Sequence, residues 1–136
     1  MNDGAKQARA AVKAFHYCLN SSGLLPSQTY IPANVGFAPV CVVNQIVALF
    51  FSHNYERIPG LIRFAYERFD AFDVKPVFSA YKAIAFDYLC QVSFFLREFT
   101  DLDKAELERT IPSAIFHAGP KAAPDYDIKS GEFPAA

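Results

Sequence analysis

Between Pro76 and Phe99 the chain reads PVFSAYKAIAFDYLCQVSFFLREF, and this run limits the fold more than any other stretch. On a helical period of about 3.6 residues, Val77, Phe78, Tyr81, Ile84, Ala85, Tyr88, Leu89, Val92, Phe95, Leu96 and Phe99 share one face. Ser79, Lys82, Asp87, Gln91, Ser93 and Arg97 take the other. The apolar stripe is too wide for a helix bathed in solvent and suits the spine of a bundle. Pro76 fits the first turn, where a missing N–H costs nothing. Lys82 and Asp87 sit at mid-length, which argues against a membrane span.

A second apolar rod runs from Pro39 to His53. Val40, Val42, Val43, Ile46, Val47, Leu49, Phe50 and Phe51 occupy most of its circumference, so it is expected to be the central element against which the spine packs. Its β-branched run also suits a strand, but its length and leading proline favour a helix. Asn44 and Gln45 require hydrogen-bond partners if they are buried. With Ser52 they define a candidate small-ligand pocket near the bundle centre.

The remaining segments complete an all-α reading. A first helix is predicted over 3–22, with Asp3 as N-cap, Gly23 as stop, and Ala8, Ala11, Val12, Phe15, Cys18 and Leu19 inward. The stretch 23–38 holds Pro26 and Pro32 and reads as a packed crossover loop. His53 to Arg57 form a polar hinge before a helix over 59–72, whose inward face is Ile58, Leu61, Ile62, Ala65, Phe69 and Phe72. Thr100 is expected to cap a short helix over 101–110, with Asp103 three residues on. Ser113 to His117 add one more turn. The predicted fold is therefore a compact bundle of four to five helices, at about 3–22, 39–53, 59–72, 76–99 and 101–110. One helical domain spans 1–118, and a flexible tail spans 119–136, where prolines and scattered charges show no period.

At 136 residues a chain buries enough core to fold without metals or disulfides. The 14 Phe and 7 Tyr, with no Trp, supply that core. A net charge of −1 gives no global argument for nucleic acid, so such a role would need a local basic stripe. Cys18, Cys41 and Cys90 are far apart with no CxxC pair, as expected of free thiols in a reducing cytoplasm. The N-terminal residues lack the apolar core of a signal peptide.

Catalytic and metal-binding motifs are absent from the sequence: there is no HExxH, GxSxG, Walker loop or GxGxxG. His16, His53 and His117 fall on separate elements without ligand spacing, so neither a metal nor a cofactor is expected. Two surface features remain. On the first helix Lys6, Arg9, Lys13, His16 and Tyr17 oppose the apolar face and form a stripe suited to an anionic partner. On the spine Phe86, Cys90 and Phe94 recur every four residues away from the main stripe. These rings need a cover, either another helix of this chain or a second protein molecule, including a second copy.

Arg9 and His16 lie on one helix with six residues between them. This spacing resembles the Arg-x(4–6)-His signature of HEPN ribonucleases, which are small all-helical domains. The resemblance covers eight residues. It implies that Arg9 holds a phosphate and His16 acts on a 2′-hydroxyl, in RNA cleavage by a pair met across a dimer. The reading the residues favour is different: a non-catalytic helical interaction protein, an adaptor, inhibitor or accessory subunit. It would act by protein–protein contact, with Phe86 and Phe94 as anchors and the basic stripe steering an acidic partner.

Overall fold

A computed structural model describes residues 3–21, 37–69 and 76–121, with side chains over 3–19, 42–69 and 82–121. Of the expected crossover loop over 23–38, Phe37 and Ala38 belong to the second helix and the rest lies outside the described residues, as do Phe72, the tail beyond Lys121 and the side chains of Val77, Phe78 and Tyr81. Six helices follow in order: α1 Asp3–Ser21, α2 Phe37–Phe51, α3 Ile58–Glu67, α4 Pro76–Phe99, α5 Lys104–Thr110 and α6 Ser113–Phe116. The protein is an all-α bundle, and no strand occurs among the described residues. None of the described helices is long and apolar enough to cross a membrane.

The helices pair differently from the expectation. α1 lies along α4, and α2 packs on α3. The two apolar rods, α2 and α4, meet chiefly through rings, with Phe50 and Phe95 edge-to-face at 4.9 Å between centroids. α2 is thus not a core rod wrapped on all sides. Val42, Val43, Ile46 and Phe50 are buried, whereas Asn44, Gln45 and Ala48 are exposed. The pocket expected from Asn44, Gln45 and Ser52 does not form, because all three side chains stand in solvent. A helix this apolar needs only one covered face when its polar residues collect on the other.

α4 departs from its two-faced pattern in the opposite sense. Tyr88, Leu89, Cys90, Gln91, Val92 and Ser93 are all buried, so the helix is enclosed on every side over this turn and a half. The cover on the nominally polar side is the chain after α5. Ile111, Ile115 and Phe116 join the core, Arg97 Nη1 donates to the Phe116 carbonyl at 2.8 Å, and the Lys121 N–H donates to Gln91 Oε1 at 2.9 Å. Gln91 can be buried here because its amide oxygen has that partner.

Helix boundaries shift for local reasons: α3, expected over 59–72, ends at Glu67, where the Arg68 N–H turns back to the Ala65 carbonyl at 3.1 Å. Asp103, and not Thr100, caps α5: its Oδ1 accepts the Ala105 N–H at 2.9 Å. Thr100 instead closes α4, donating its hydroxyl to the Leu96 carbonyl at 2.6 Å. α2 ends at Phe51 in a left-handed turn. The Asn54 N–H reaches back to the Leu49 carbonyl at 2.9 Å and the His53 N–H to the Phe50 carbonyl at 3.2 Å. These two bonds make a Schellman motif with His53 at the position that glycine usually takes. His53 accordingly has φ of 63°, the one positive value among non-glycine residues described.

Candidate functional site

The chemistry-bearing side chains of the described residues converge where α1 passes the end of α2. α1 is a good helix former with alanines through its length, and Ala5, Ala8, Val12, Phe15, Cys18 and Leu19 bury one face. Burying that face fixes the rotation of the helix, so Lys6, Arg9, Ala10, Lys13, His16 and Tyr17 are turned toward α2 and solvent. Lys6, Arg9, Ala10, Lys13 and His16, together with Phe51 from α2, line an open groove of about 460 Å³.

Arg9 is not a solvated member of this stripe. Its Nη1 donates to the Tyr55 hydroxyl at 2.9 Å and its Nη2 to the Phe50 carbonyl at 3.2 Å. The guanidinium also lies over the rings of Phe50 and Phe51, 4.8 Å and 5.4 Å from their centroids. Half-burial beneath such a cation is tolerable because rings and acceptors replace water. Phe50, Tyr55, Phe95 and Phe99 form a continuous aromatic cluster below it, with centroid separations from 4.9 Å to 5.8 Å.

His53 completes the arrangement. Its Nε2 lies 3.4 Å from Arg9 Nη2 and its Nδ1 lies 3.1 Å from the Tyr55 hydroxyl. A guanidinium can only donate, so a contact with Arg9 requires a lone pair on Nε2. In a neutral imidazole the proton then sits on Nδ1, facing Tyr55. The Tyr55 hydroxyl therefore accepts from two sides. The left-handed backbone at His53 costs about 1 kcal/mol relative to glycine and serves to aim this ring at Arg9 and Tyr55. A second groove, of about 440 Å³, opens beyond it between Leu49, His53, Asn54, Tyr55, Glu56 and Arg57.

His16 lines the first groove but meets Arg9 only through their common wall. Its ring packs against Phe51 at 6.1 Å, and burial lowers its pKa below the ordinary histidine value. Burial thus favours its neutral form. A neutral histidine beside an arginine is compatible with a general base. The Arg9 fork, however, is turned toward Phe50 and Tyr55, leaving little of it for a phosphate. No group of three or more histidine, cysteine or acidic side chains among the described residues is placed to hold a metal.

The second expected surface is rearranged by the chain's own C-terminal segment. Cys90, expected with Phe86 and Phe94 on a partner-binding face, is instead 0% exposed and belongs to the core. Burial pushes its thiol up to about 11, with Lys121 opposing and Asp87 adding to the shift. Phe86 and Phe94 are half-buried against the core. Phe86 faces Tyr66 at 6.4 Å, and Phe94 meets Phe99 edge-on at 5.9 Å with the Arg97 guanidinium 5.6 Å above it.

His53 and Tyr55 escaped the sequence reading, which treated them as hinge residues. The only local signal was the lack of glycine or asparagine directly after the α2 apolar run. Comparison with protein-family models, with curated proteins and with solved structures found no match.

Proposed function

We propose that this protein is a non-catalytic, cytoplasmic interaction protein that binds an acidic partner protein along α1. The observation that carries this reading is the groove between α1 and Phe51, which the exposed Lys6 and Lys13 line together with Arg9, Ala10, His16 and the Phe51 ring. Neither lysine has a carboxylate partner among the described residues. Unpaired cations around an apolar floor attract and orient an acidic surface. Arg9 is a fixed wall of the groove and not a mobile contact, since its donors are engaged within the chain. Self-association through the half-open rings of Phe86 and Phe94 is the second contact in this reading.

The ribonuclease alternative keeps Arg9 and His16 on one groove, but the direction of the Arg9 fork favours a structural role for it. One titration series separates the two. Fluorescent poly-L-glutamate and a labelled single-stranded RNA are mixed with wild type, with Lys6→Glu/Lys13→Glu, and with His16→Ala. Poly-glutamate is expected to bind wild type in a salt-dependent way and to lose about tenfold or more in affinity on the double charge reversal, a change of about 1.4 kcal/mol. Binding indifferent to the reversal removes the acidic-partner reading. RNA cleavage that disappears in His16→Ala replaces it with the ribonuclease. Light scattering of wild type and Phe94→Glu tests self-association: a monomer in both removes that contact.

A further inference from the structure

Lys121 is the last residue described, and it is anchored at both ends. Its N–H donates to Gln91 Oε1 at 2.9 Å and its Nζ lies 3.7 Å from Asp87 Oδ1. The chain beyond it therefore departs from the Asp87–Gln91 turn of α4. Four residues further along α4, Phe95 packs on Phe50, and the Arg9 guanidinium lies over the Phe50 ring. Arg9 is a wall of the groove that Lys6 and Lys13 line. The point of departure and the Arg9 end of the groove are thus about 6 Å apart along the α4 axis.

The sequence after Lys121 carries the complement of that groove. Asp125, Asp127 and Glu132 set three carboxylates against one cation, Lys129. Each carboxylate is followed directly by a large apolar residue: Tyr126, Ile128 and Phe133. The groove offers the exposed Lys6 and Lys13, about 10.5 Å apart along α1, with Ala10 and the Phe51 ring between them. The carboxylates around α5 are already engaged. Glu98 pairs with Arg97 at 3.0 Å, Glu106 with Arg109, and Asp103 caps its own helix. Reach is sufficient, since residues 122–132 span up to about 36 Å when extended, about three helix diameters.

We infer that residues 125–133 of this same chain occupy the α1 groove and compete there with the partner. This inference rests on the acidic-partner reading above and adds its regulation. The segment carries the same chemistry as that partner, acidic groups beside apolar ones, and it is tethered. Tethering holds it at a local concentration on the order of 1 mM. A contact with an intrinsic dissociation constant of about 0.5 mM then closes about two-thirds of the molecules and weakens any competitor about threefold. A partner must displace the segment, so its binding is tuned by whatever removes charge from Asp125, Asp127 and Glu132 or screens it.

The test uses the full chain and fluorescent poly-L-glutamate. Asp125→Asn/Asp127→Asn/Glu132→Gln is expected to bind poly-glutamate about threefold tighter than wild type at low salt, with the gain shrinking as salt rises. In a Lys6→Glu/Lys13→Glu background the same neutralisation is expected to change nothing. Asp101→Asn/Glu106→Gln/Glu108→Gln makes an equal charge change elsewhere and is expected to leave most of that gain unrealised. Independently, the full chain with Phe133 replaced by its photoreactive para-benzoyl derivative is irradiated and the adduct mapped by mass spectrometry. The expected adduct joins position 133 to α1 or to Phe51 within one chain, at a yield constant over an about fiftyfold range of protein concentration. Equal poly-glutamate affinity of wild type and the neutralised segment overturns the inference, and the broader reading survives where binding still depends on Lys6 and Lys13. Binding indifferent to those lysines overturns both. An equal gain from the Asp101, Glu106 and Glu108 changes shows net charge acting at long range and overturns the segment. An adduct outside the groove overturns it too, and an adduct only between chains, rising with concentration, makes a second copy the occupant and overturns docking within one chain.

Discussion

Replacement of Arg9 by alanine tests whether the guanidinium is a structural clamp or a solvated surface charge. The clamp makes two charge-assisted bonds, to Tyr55 at 2.9 Å and to the Phe50 carbonyl at 3.2 Å. Hydrogen bonds of a charged group contribute about 1.5–3 kcal/mol each. Arg9 is only half-buried and the second bond is long, so about 1–1.5 kcal/mol apiece is the appropriate scale. Contact with the Phe50 and Phe51 rings adds about 0.5–1 kcal/mol. The higher helix propensity of alanine returns a few tenths. The expected loss is therefore about 2–3.5 kcal/mol, measured as a shift in the midpoint of urea unfolding at constant m-value. Lys13→Ala, one turn further along the same helix but unpaired, is expected to stay within about 0.5 kcal/mol of wild type. Arg9→Lys keeps the charge and loses the fork, so it falls between the two. A double-mutant cycle with Tyr55→Phe is expected to give a coupling of about 1 kcal/mol. If Arg9→Ala is as mild as Lys13→Ala, or if the Arg9 and Tyr55 changes simply add, the clamp does not exist in solution.

Three further outcomes follow from the same geometry. His53→Gly relieves the left-handed backbone at the end of α2 and gives up the exposed contacts with Tyr55 at 3.1 Å and Arg9 at 3.4 Å, so it is expected to stabilise the protein by at most about 0.5 kcal/mol in urea unfolding while reducing the Arg9–Tyr55 coupling. The pKa of His16 is lowered by burial. As pH falls below the ordinary value of about 6.5, the unfolded chain binds a proton there that the native state refuses, so stability declines until the folded pKa is reached. His16→Phe is expected to flatten that part of the pH profile, as followed by thermal unfolding. Cys18 and Cys90 are buried, with thiols raised in pKa by burial, to about 11 for Cys90. In a Cys41→Ser background, a chromogenic disulfide reagent at mild alkaline pH is expected to label neither cysteine until denaturant is added. Immediate labelling of Cys90 in the native protein, located by peptide mass mapping, would show that the segment after α5 does not cover α4.

The amphipathic period of residues 76–99 was enough to specify a long helix, and its bounds match those of α4. Helical periodicity likewise located α1, α2 and α3, because each buries a stripe that local spacing makes visible. The line of Lys6, Lys13 and Tyr17 was legible too, since residues on one helix keep their relative directions whatever the helix packs against. Pairing was a different matter. α1 with α4 and α2 with α3 depend on the shapes of whole faces, and two greasy stripes look alike in sequence. For the same reason the burial of Cys90, Gln91 and Ser93 could not be read locally: their cover arrives from residues 111–121 by way of Phe116 and Lys121.

Arg9, His53 and Tyr55 draw the line most sharply. From sequence alone, Arg9 was a cation on a polar face and, with His16, one half of a ribonuclease-like pair, while His53 and Tyr55 were hinge residues more than forty positions away. The three come together only once α1 lies against the end of α2 and His53 accepts a left-handed backbone. Sequence by itself determined the apolar stripe that each long helix turns inward, because residues three and four apart share a face. The tertiary structure alone decided which charges are engaged within the chain, because a side chain's bonding depends on what long-range packing brings within about 3 Å of it.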